Sequence, residues 1–325
     1  MKKKNLEVLA VLSDLKADVA GVLQQLEVQA IQQVQMSEQI VELIRMISDQ
    51  QGYLNNQIQS NSVSLKSLEA ISSFGSQEIF QYVQLIEAAR NSAQYSSVFS
   101  AADPMISIII PTHTNPLALW ERTIPSIVAQ SHTNLEILVV VDGNHPDIFE
   151  TTLNDSIQCG DHRISVHLAP PTPTEFPELE SWSPDQKKRF DWFRSGNGPF
   201  NHGMNIATGH WIAPFSHDDA MHPTGYERVL KKAMQMRWEY CYAPIVRLSP
   251  TDSSIIHSFP PRSHHFGVQG SLIHSALKMF RYDFRDALVG LPNDYGMIRR
   301  MMLCGIRMGT IEEAASDYYP SSLWP

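Results

Sequence analysis

Short apolar runs alternate with helical patterns in the central part of the chain. Residues 106–110 read Ile-Ser-Ile-Ile-Ile before Pro111 interrupts them, and residues 136–141 form a second, mostly apolar run that ends at Asp142. Between the two runs, residues 120–130 place apolar side chains at helical spacing. Because strands joined by such a helix pair in parallel, the pattern predicts an α/β fold with a mostly parallel sheet flanked by helices.

A third apolar run, residues 209–219, ends in the adjacent acids Asp218 and Asp219. We interpret it as a buried strand that carries the two carboxylates to a cleft. Since side chains alternate along a strand, Ser216 and Asp218 would share one face, and His217 and Asp219 the other. Carboxylates at a strand end suit Mg²⁺ or Mn²⁺, which proteins usually hold with one or two carboxylates plus substrate phosphates. On these residues alone, an acidic surface turn is an equal alternative.

Polar residues follow all three predicted strands. Pro111 and Thr112 stand at the end of the first strand, Asp142 at the end of the second, and Asp218 at the end of the third. In open α/β sheets, ligands bind at the carboxyl ends of the strands. The sequence therefore predicts a ligand site that these residues share.

The first hundred residues differ in kind, being rich in Gln, Ser and Glu and free of proline. Apolar residues recur at alternating spacings of four and three across residues 8–54, which predicts a coiled coil. Such a seam needs a later helix, a second copy of the chain or another protein to cover it. We expect a homo-oligomer or a docked partner protein, and a bundle folded back on the rest of the chain is the alternative.

Two shorter helical patterns come next, at residues 65–71 and 79–89, and residues 96–104 have the composition of a linker. We therefore predict two domains. Residues 1–100 form a helical, coiled-coil region for oligomerisation or docking, and residues 101–325 form the α/β domain.

The middle of the α/β region is broken by prolines between residues 170 and 184, with Trp182, Trp192 and Phe193 nearby. A long connection of this kind can cover a cleft, where aromatic rings stack on sugars. The alternative, which we favour, is that the rings anchor the loop to the core.

Composition excludes several classes of protein. The net charge of −9 argues against a nucleic-acid partner, which would require a basic face. Three cysteines without paired spacing indicate reduced thiols rather than a disulfide framework. No apolar stretch approaches the roughly 20 residues that span a bilayer, so we expect a cytoplasmic protein, free or held at a membrane by a partner. The phosphate-binding and dinucleotide-binding glycine motifs are absent, as is Gly-x-Ser-x-Gly.

Several motifs in order resemble the family 2 glycosyltransferases of the GT-A fold, over residues 105 to about 314. The matching segments are residues 106–112, 126–131 with 134–137, 201–209, and 293–295 with Arg300. None of these motifs is specific alone, and the ordered set carries the resemblance. It implies a GT-A domain and an enzyme, a hexosyl- or related transferase.

The resemblance also implies roles for individual residues. Asp294 would be the catalytic base, and Asp218 and Asp219 would hold Mn²⁺ or Mg²⁺. The nucleoside diphosphate sugar donor would contact Pro111, Thr112, Asp142 and His217. A glycan, a lipid-linked molecule or a protein would supply the acceptor hydroxyl, with inversion at the anomeric carbon. Arg300 would pair with a neighbouring acid or reach phosphate, and we favour the pairing.

Three positions depart from the family's pattern. Ser216 stands where the metal-binding motif begins with Asp, Val141 precedes Asp142 where two Asp are common, and Asn293 replaces a Glu. These departures support an alternative from another class, a non-catalytic nucleotide-sugar-binding protein that works through its coiled coil. A GT-A-fold nucleotidyltransferase is a poorer fit, because no glycine-rich, basic loop follows the first strand.

Overall fold

A computed structural model describes residues 65–113, 117–180, 182–249 and 253–320, with side chains described from Gln77 onward except that of Glu178. Contacts divide the chain into two compact units, residues 1–64 and residues 65–325. The coiled coil predicted for residues 8–54 lies outside the described residues.

A seven-stranded sheet forms the centre of the second unit. Its strands are β1 (Ile106–Thr112), β2 (Leu135–Val141), β3 (Ile164–Leu168), β4 (Trp211–Pro214), β6 (Tyr240–Tyr242), β9 (Leu272–His274) and β10 (Met308–Thr310). They lie in the order β10-β6-β9-β4-β1-β2-β3. All neighbours pair in parallel except β9, which is antiparallel to both β4 and β6. The predicted α/β class with a mostly parallel, helix-flanked sheet is thereby confirmed.

The central strands are apolar on both faces because helices cover both faces. In β1, Ile108, Ile109 and Ile110 are all fully buried and divide between two hydrophobic clusters. A glycine permits α6 to approach the sheet closely, since a Cβ at Gly203 would lie 2.4 Å from Cγ2 of Ile109. Continuous burial is what parallel strands need, and it explains the unbroken Ile run.

Helices and a smaller sheet surround the central sheet. The helices are α1 (Leu65–Arg90), α2 (Ala93–Val98), α3 (Ile124–Val128), α4 (Pro146–Cys159), α5 (Pro184–Phe193), α6 (Asn197–Ile206), α7 (Gly225–Met236), α8 (Phe284–Leu288) and α9 (Asn293–Leu303). A π-helical turn, Leu119–Thr123, precedes α3. The smaller sheet consists of β5 (Ala220–Met221), β7 (Ile245–Leu248), β8 (Ser253–Ile256) and β11 (Ser316–Tyr318), in the order β5-β11-β7-β8. Within the described residues, no helix is both long enough and apolar enough to cross a membrane.

A buried carboxylate fastens α1 and α2 to the sheet. Glu239 is fully buried and accepts two hydrogen bonds from Arg90, at 2.7 and 2.6 Å. The hydroxyl of Tyr95 donates to the same side chain at 2.5 Å, and the backbone amide of Arg307 donates at 2.8 Å. Burial opposes ionisation of Glu239, but these donors outweigh it and hold its pKa below the usual range.

The N-terminal helices differ from their prediction in two ways. The patterns at residues 65–71 and 79–89 belong to the single helix α1. The linker prediction is wrong at its start, because α2 continues to Val98 and both Val98 and Phe99 are buried in the core. The apolar packing of these two side chains outweighs the polar composition around them. Helices α1 and α2 thus lie in the same unit as the sheet, and the boundary near residue 100 stays a prediction.

Aromatic residues of the proline-rich segment anchor it to the core, which is the interpretation that the sequence favoured. Phe190 and Phe193 of α5 are buried with Leu179 in a third hydrophobic cluster, against which Trp182 packs. The Ser183 side chain caps α5 at residue 186 and completes a capping box, which explains why a helix begins directly after the prolines.

Candidate functional site

The carboxyl ends of β1 and β2 lie side by side and position two of the predicted residues. Thr112 pairs with Val141 in register, and the amide of Asp142 donates to the carbonyl of Thr112 at 3.0 Å. The Asp142 carboxylate accepts the hydroxyl of Thr172 and the backbone amide of Asn144, the latter at 2.9 Å. Burial opposes its ionisation, yet these hydrogen bonds prevail and lower the pKa of Asp142. Asp142 is therefore an ionised, fixed acceptor at neutral pH.

A turn at residues 194–196 leads into α6 and lies against the end of β1. Gly196 has φ +74° and would place a Cβ 3.3 Å from the side chain of Pro111. A Cβ at Gly198 would lie 2.3 Å from the hydroxyl oxygen of Thr172. A side chain at either position would disturb the strand end or the residue that orients Asp142, so this turn depends on glycine.

The acidic run after β4 folds partly as predicted. The strand ends at Pro214, and His217 and Asp218 form a turn, so the predicted face alternation up to Asp219 is wrong. The turn is fixed from outside the strand. Arg122 donates to the carbonyl of Asp218 at 2.8 Å and Thr123 donates to that of Asp219 at 2.8 Å, and these bonds replace the strand ladder.

The two acids of this turn have different surroundings. Asp219 is fully buried, and its carboxylate accepts from Gln269 Nε2 at 2.7 Å and from the amide of Tyr319 at 2.9 Å. Burial and then the charge of Asp218 raise the pKa of Asp219 to about 8. Asp218 is partly exposed. Of the pair, Asp218 is placed to meet a ligand, and Asp219 ties the turn to two later segments.

Three histidines connect the strand ends. The ring of His113, just after β1, lies 5.8 Å from that of His217 and 6.4 Å from that of His145, measured between centroids. Burial and then the two neighbouring imidazoles lower the pKa of His113, against the charges of Asp142 and Asp218. A neutral ring at physiological pH can donate a hydrogen bond to a ligand oxygen. His113 therefore lies among residues that follow all three strands, β1, β2 and β4.

Asp294 lies in the first turn of α9, partly buried and close to the rings of Tyr240 and Tyr282. Its Oδ1 accepts the amide of Tyr295 at 2.6 Å. Burial raises the pKa of Asp294 to about 6, and no cation among the described residues contributes to it. A carboxyl group with this pKa is a base at neutral pH that is also able to hold a proton.

The neighbouring amide explains one departure from the family's pattern. Asn293 is buried, and its Nδ2 donates to the carbonyl of Ser195 at 2.6 Å and to Oδ1 of Asn197 at 2.7 Å. Both partners are acceptors, so a carboxylate at 293 would repel them. Asn293 joins α9 to the glycine turn that packs on Pro111, and this chain of contacts places Asp294 at the same end of the sheet as the strand-end residues.

Arg300 does not reach into this site. Its Nη1 pairs with Asp286 at 2.7 and 2.8 Å, and Nη2 donates to the carbonyl of Arg281 at 2.6 Å. The predicted pairing with an acid is confirmed.

Several site residues escaped the sequence analysis. Thr172 and Gln269 bond to the carboxylates of Asp142 and Asp219. Arg122 binds the backbone carbonyl of Asp218, and Asn197 accepts from Asn293. No sequence motif marks these four residues. His113 and His145 could have been found, because His113 directly follows a predicted strand and His145 stands three residues after Asp142. Contacts between distant loops leave no periodic signal in a sequence.

The residues at this site offer few protein ligands for a divalent cation. Among the described residues, no group of three or more His, Cys, Asp or Glu side chains is arranged to hold a metal. Both carboxylate oxygens of Asp219 already accept hydrogen bonds, which leaves Asp218 as the available carboxylate. One protein carboxylate with substrate phosphates is an arrangement in which Mg²⁺ occurs.

Comparisons with known proteins found similarity in structure but not in sequence. No protein-family model matches the chain, and no curated protein matches it by sequence. Residues 1–349 of S. aureus TarS, crystallised with UDP, are 12% identical with a TM-score of 0.47, over 67% of this chain and 61% of that one. A crystal structure described as S. aureus TarS is 13% identical with a TM-score of 0.46, over 67% of this chain and 37% of that one. Residues 1–349 of S. aureus TarS in complex with UDP-GlcNAc are 12% identical with a TM-score of 0.45, over 67% of this chain and 59% of that one. The matched region therefore spans about 60% of the shorter TarS chains.

Proposed function

We propose that the protein is a nucleotide-sugar-dependent glycosyltransferase, a hexosyl- or related transferase. It would move a sugar from a nucleoside diphosphate sugar to an acceptor hydroxyl with inversion. The observation that carries the proposal is Asp294. Its carboxyl has a pKa of about 6, and Asn293 ties its helix to the end of the sheet where Asp142 and Asp218 lie. The ordered family motifs of the sequence point to the same reaction.

The donor occupies the strand ends in this proposal. Asp142 accepts hydrogen bonds from the ribose or base, since Thr172 and Asn144 keep it ionised and oriented. Pro111 is half-buried at the edge of this site, whereas Thr112 is fully buried and supports the strand end. His217 donates to the donor's phosphate oxygens. These assignments follow the rule that ligands of open α/β sheets bind at the carboxyl ends of the strands.

Asp218 is the proposed ligand of Mg²⁺ or Mn²⁺, and the metal role predicted for Asp219 stays a prediction. A cation bound there would neutralise charge that develops on the leaving diphosphate. Asp219 maintains the turn through Gln269 and Tyr319, and Asp218 in that turn is partly exposed.

Asp294 acts on the acceptor. Its carboxylate removes the proton of the attacking hydroxyl as the oxygen approaches the anomeric carbon, opposite the diphosphate. Burial makes the carboxylate a stronger base than an exposed Asp, and the hydrogen bond from Tyr295 limits that gain. Attack from the face opposite the leaving group inverts the anomeric centre.

The alternative is a non-catalytic nucleotide-sugar binder that works through its N-terminal helices. Ser216 and Asn293, at positions that are usually acidic, favour it. Self-association or partner docking through residues 8–54 stays a prediction under either function.

Incubation of the full-length protein with a panel of nucleotide sugars and Mn²⁺ tests the proposal. The panel contains UDP, GDP and dTDP sugars, so that the nucleotide and the sugar vary independently. We expect release of the nucleoside diphosphate, by transfer or slow hydrolysis, and no release after chelation. Tight nucleotide binding without any release would support the binder.

A further inference from the structure

A cation lies beside the acidic turn, and no acid is paired with it. Arg122, in the π-helical turn before α3, donates from Nη1 to the carbonyl of Asp218 at 2.8 Å. Among the residues that the structure describes, none of the ion pairs includes Arg122. The bond to Asp218 fixes the backbone of the turn but uses only part of a side chain that has five N–H donors.

The other donors of Arg122 are accessible. Its side chain is partly exposed, and none of its nitrogens belongs to the buried polar atoms that lack a hydrogen-bond partner in the described part of the chain. A ligand can therefore bind these N–H groups without displacing a protein group from them.

The ring of Tyr319 holds the guanidinium in place. The central carbon of Arg122 lies 3.7 Å from the centroid of this ring. The amide of Tyr319 donates to Oδ1 of Asp219 at 2.9 Å, and β11 before it pairs with β5, which directly follows the acidic turn. Because the N–H groups of a guanidinium lie in its plane, a ring packed on its face leaves them open. Arg122 is thus a positioned cation rather than a mobile surface side chain.

The same turn carries the residues that the proposed function assigns to the donor's phosphates. His217 and Asp218 both belong to it, and the ring of His113 lies 5.8 Å from that of His217. Asp219 is fully buried, whereas Asp218 is partly exposed. A diphosphate that meets Asp218 through a cation therefore comes next to Arg122, since the guanidinium is bonded to that same residue.

We propose that Arg122 binds the outer phosphate of the donor's diphosphate and stabilises the charge that this phosphate gains in the reaction. The inference rests on the proposed function and adds a catalytic residue to it. When the bond between the anomeric carbon and the phosphate oxygen breaks, its electron pair stays on that oxygen. The acceptor oxygen forms the new bond to the anomeric carbon and its proton passes to Asp294, while Arg122 keeps all its protons. A guanidinium that is already in position stabilises such a developing charge without reorganisation.

Nucleotide binding without a divalent cation isolates the contribution of Arg122. UDP, GDP and dTDP, each beside its monophosphate, would be titrated into the full-length protein in the presence of a chelator, with binding followed by calorimetry. We expect the parent to bind a diphosphate more tightly than its monophosphate. Arg122→Met should weaken diphosphate binding by about ten- to hundredfold, the usual effect of hydrogen bonds to a charged group, and leave monophosphate binding unchanged. Arg122→Lys keeps the charge but not the paired donors, so it should retain part of the preference.

Two control variants separate phosphate binding from maintenance of the turn. Thr123→Val removes the neighbouring hydrogen bond to the turn, at the carbonyl of Asp219, and leaves the charge of Arg122 in place. Its effect should therefore fall equally on the two nucleotides. Arg228→Met removes an arginine of α7 that pairs with Glu313, and it should change neither affinity.

Several results would overturn the inference. Arg122→Met that weakens both nucleotides equally, or Thr123→Val that abolishes the preference, would show that Arg122 only fixes the turn. Equal affinity of the parent for the two nucleotides, or no binding until Mn²⁺ is added, would show that the protein supplies no cation to the outer phosphate. In each of these cases the proposed function stands. If no nucleotide binds with or without Mn²⁺, the proposed function fails and the inference fails with it.

Turnover provides a second measurement. With the active nucleotide sugar and Mn²⁺, Arg122→Met should lower kcat by about 10²- to 10³-fold, the usual cost of removing one preorganised donor at a developing charge. KM should change less, because the contact strengthens as the charge develops. A parental kcat in Arg122→Met would show that Arg122 does not act on the leaving group.

Discussion

Burial opposes the ionisation of two carboxyl groups, Glu239 and Asp294, but their pKa values shift in opposite directions. Glu239 accepts hydrogen bonds from two arginines and a tyrosine, and its pKa falls below the usual range despite complete burial. Within the described part of the chain, Asp294 accepts hydrogen bonds from backbone amides alone, and burial raises its pKa to about 6. Burial alone therefore does not set the behaviour of an acid. The partners that the fold supplies decide whether it is a permanent anion or a proton acceptor.

The difference separates a stabilising role from a chemical one. Glu239 joins α1 and α2 to the sheet, and ionisation there is fixed by charge pairing. Asp294 sits where its charge can change in the range of neutral pH, which is a property of functional acids. Substitution of either acid, or of the partners around it, tests this contrast directly.

Asp294→Asn should lower turnover by about 10²- to 10⁴-fold, the usual contribution of a general base. The amide retains the shape of the side chain but cannot accept the acceptor's proton. Donor affinity should change little, because Asp294 acts on the other substrate. Steady-state kinetics with the active nucleotide sugar would measure both, and parental turnover in the variant would rule out Asp294 as the base. The matched change Asp283→Asn, at an acid paired with Arg285, should leave turnover near the parental value.

Arg90→Met should destabilise the second unit by about 3–5 kcal/mol, because it leaves the buried Glu239 without its main partner. Thermal and denaturant unfolding of the full-length protein would measure the loss. Arg228→Met removes an ion pair with the largely exposed Glu313 and should cost about 1 kcal/mol or less. Equal losses in the two variants would show that the Glu239 cluster does not hold the helices to the sheet.

Stability should respond to pH in opposite directions at the two acids. Because the pKa of Asp294 is raised to about 6, its contribution to stability is present below about pH 4 and is lost as pH rises through 6. Asp294→Asn removes this loss, so the variant should gain up to about 3 kcal/mol relative to the parent between pH 4 and 7. The contribution of Glu239, with its lowered pKa, is instead present above its usual range and lost as pH falls. Unfolding free energies of parent and variant across this range would show the trend, and a constant difference would contradict it.

Activity should also depend on pH through Asp294. The group must be ionised to accept a proton, so kcat/KM should fall about tenfold per pH unit below pH 6 and level off above it. A pH–rate profile with no inflection between 5 and 7 would show that another group is the base.

The smallest effect is expected at Asp218. Asp218→Asn should weaken nucleotide binding in Mn²⁺ about tenfold, since an amide is a poorer ligand for a hard cation. The same variant should bind like the parent after chelation. If calorimetry finds that the parent binds UDP equally well with Mn²⁺ and with a chelator, nucleotide binding does not involve a cation at Asp218.

The predicted strands at residues 106–110 and 136–141 are present, because buried parallel strands need unbroken apolar runs that are visible in a sequence. The end of the third run was misjudged. Apolar residues continue the pattern through Phe215, but Arg122 and Thr123 bind the carbonyls after it and turn the chain. The end of α2, from residue 96, falls within the predicted linker because the polar residues there hide the burial of Val98 and Phe99.

Sequence alone was enough to predict the α/β class and the three strands β1, β2 and β4, and it marked Asp142 and Asp218 as candidate site residues, to which the family resemblance added Asp294. Local periodicity and the acids at strand ends are properties of neighbouring residues, so they can be recognised without the fold. The surroundings of each acid came from the folded chain instead. Thr172 keeps Asp142 ionised, and Gln269 and Tyr319 donate hydrogen bonds to the carboxylate of Asp219. Burial raises the pKa of Asp294. These partners come from distant segments, and a pKa depends on which groups meet in space rather than on which are adjacent in the chain.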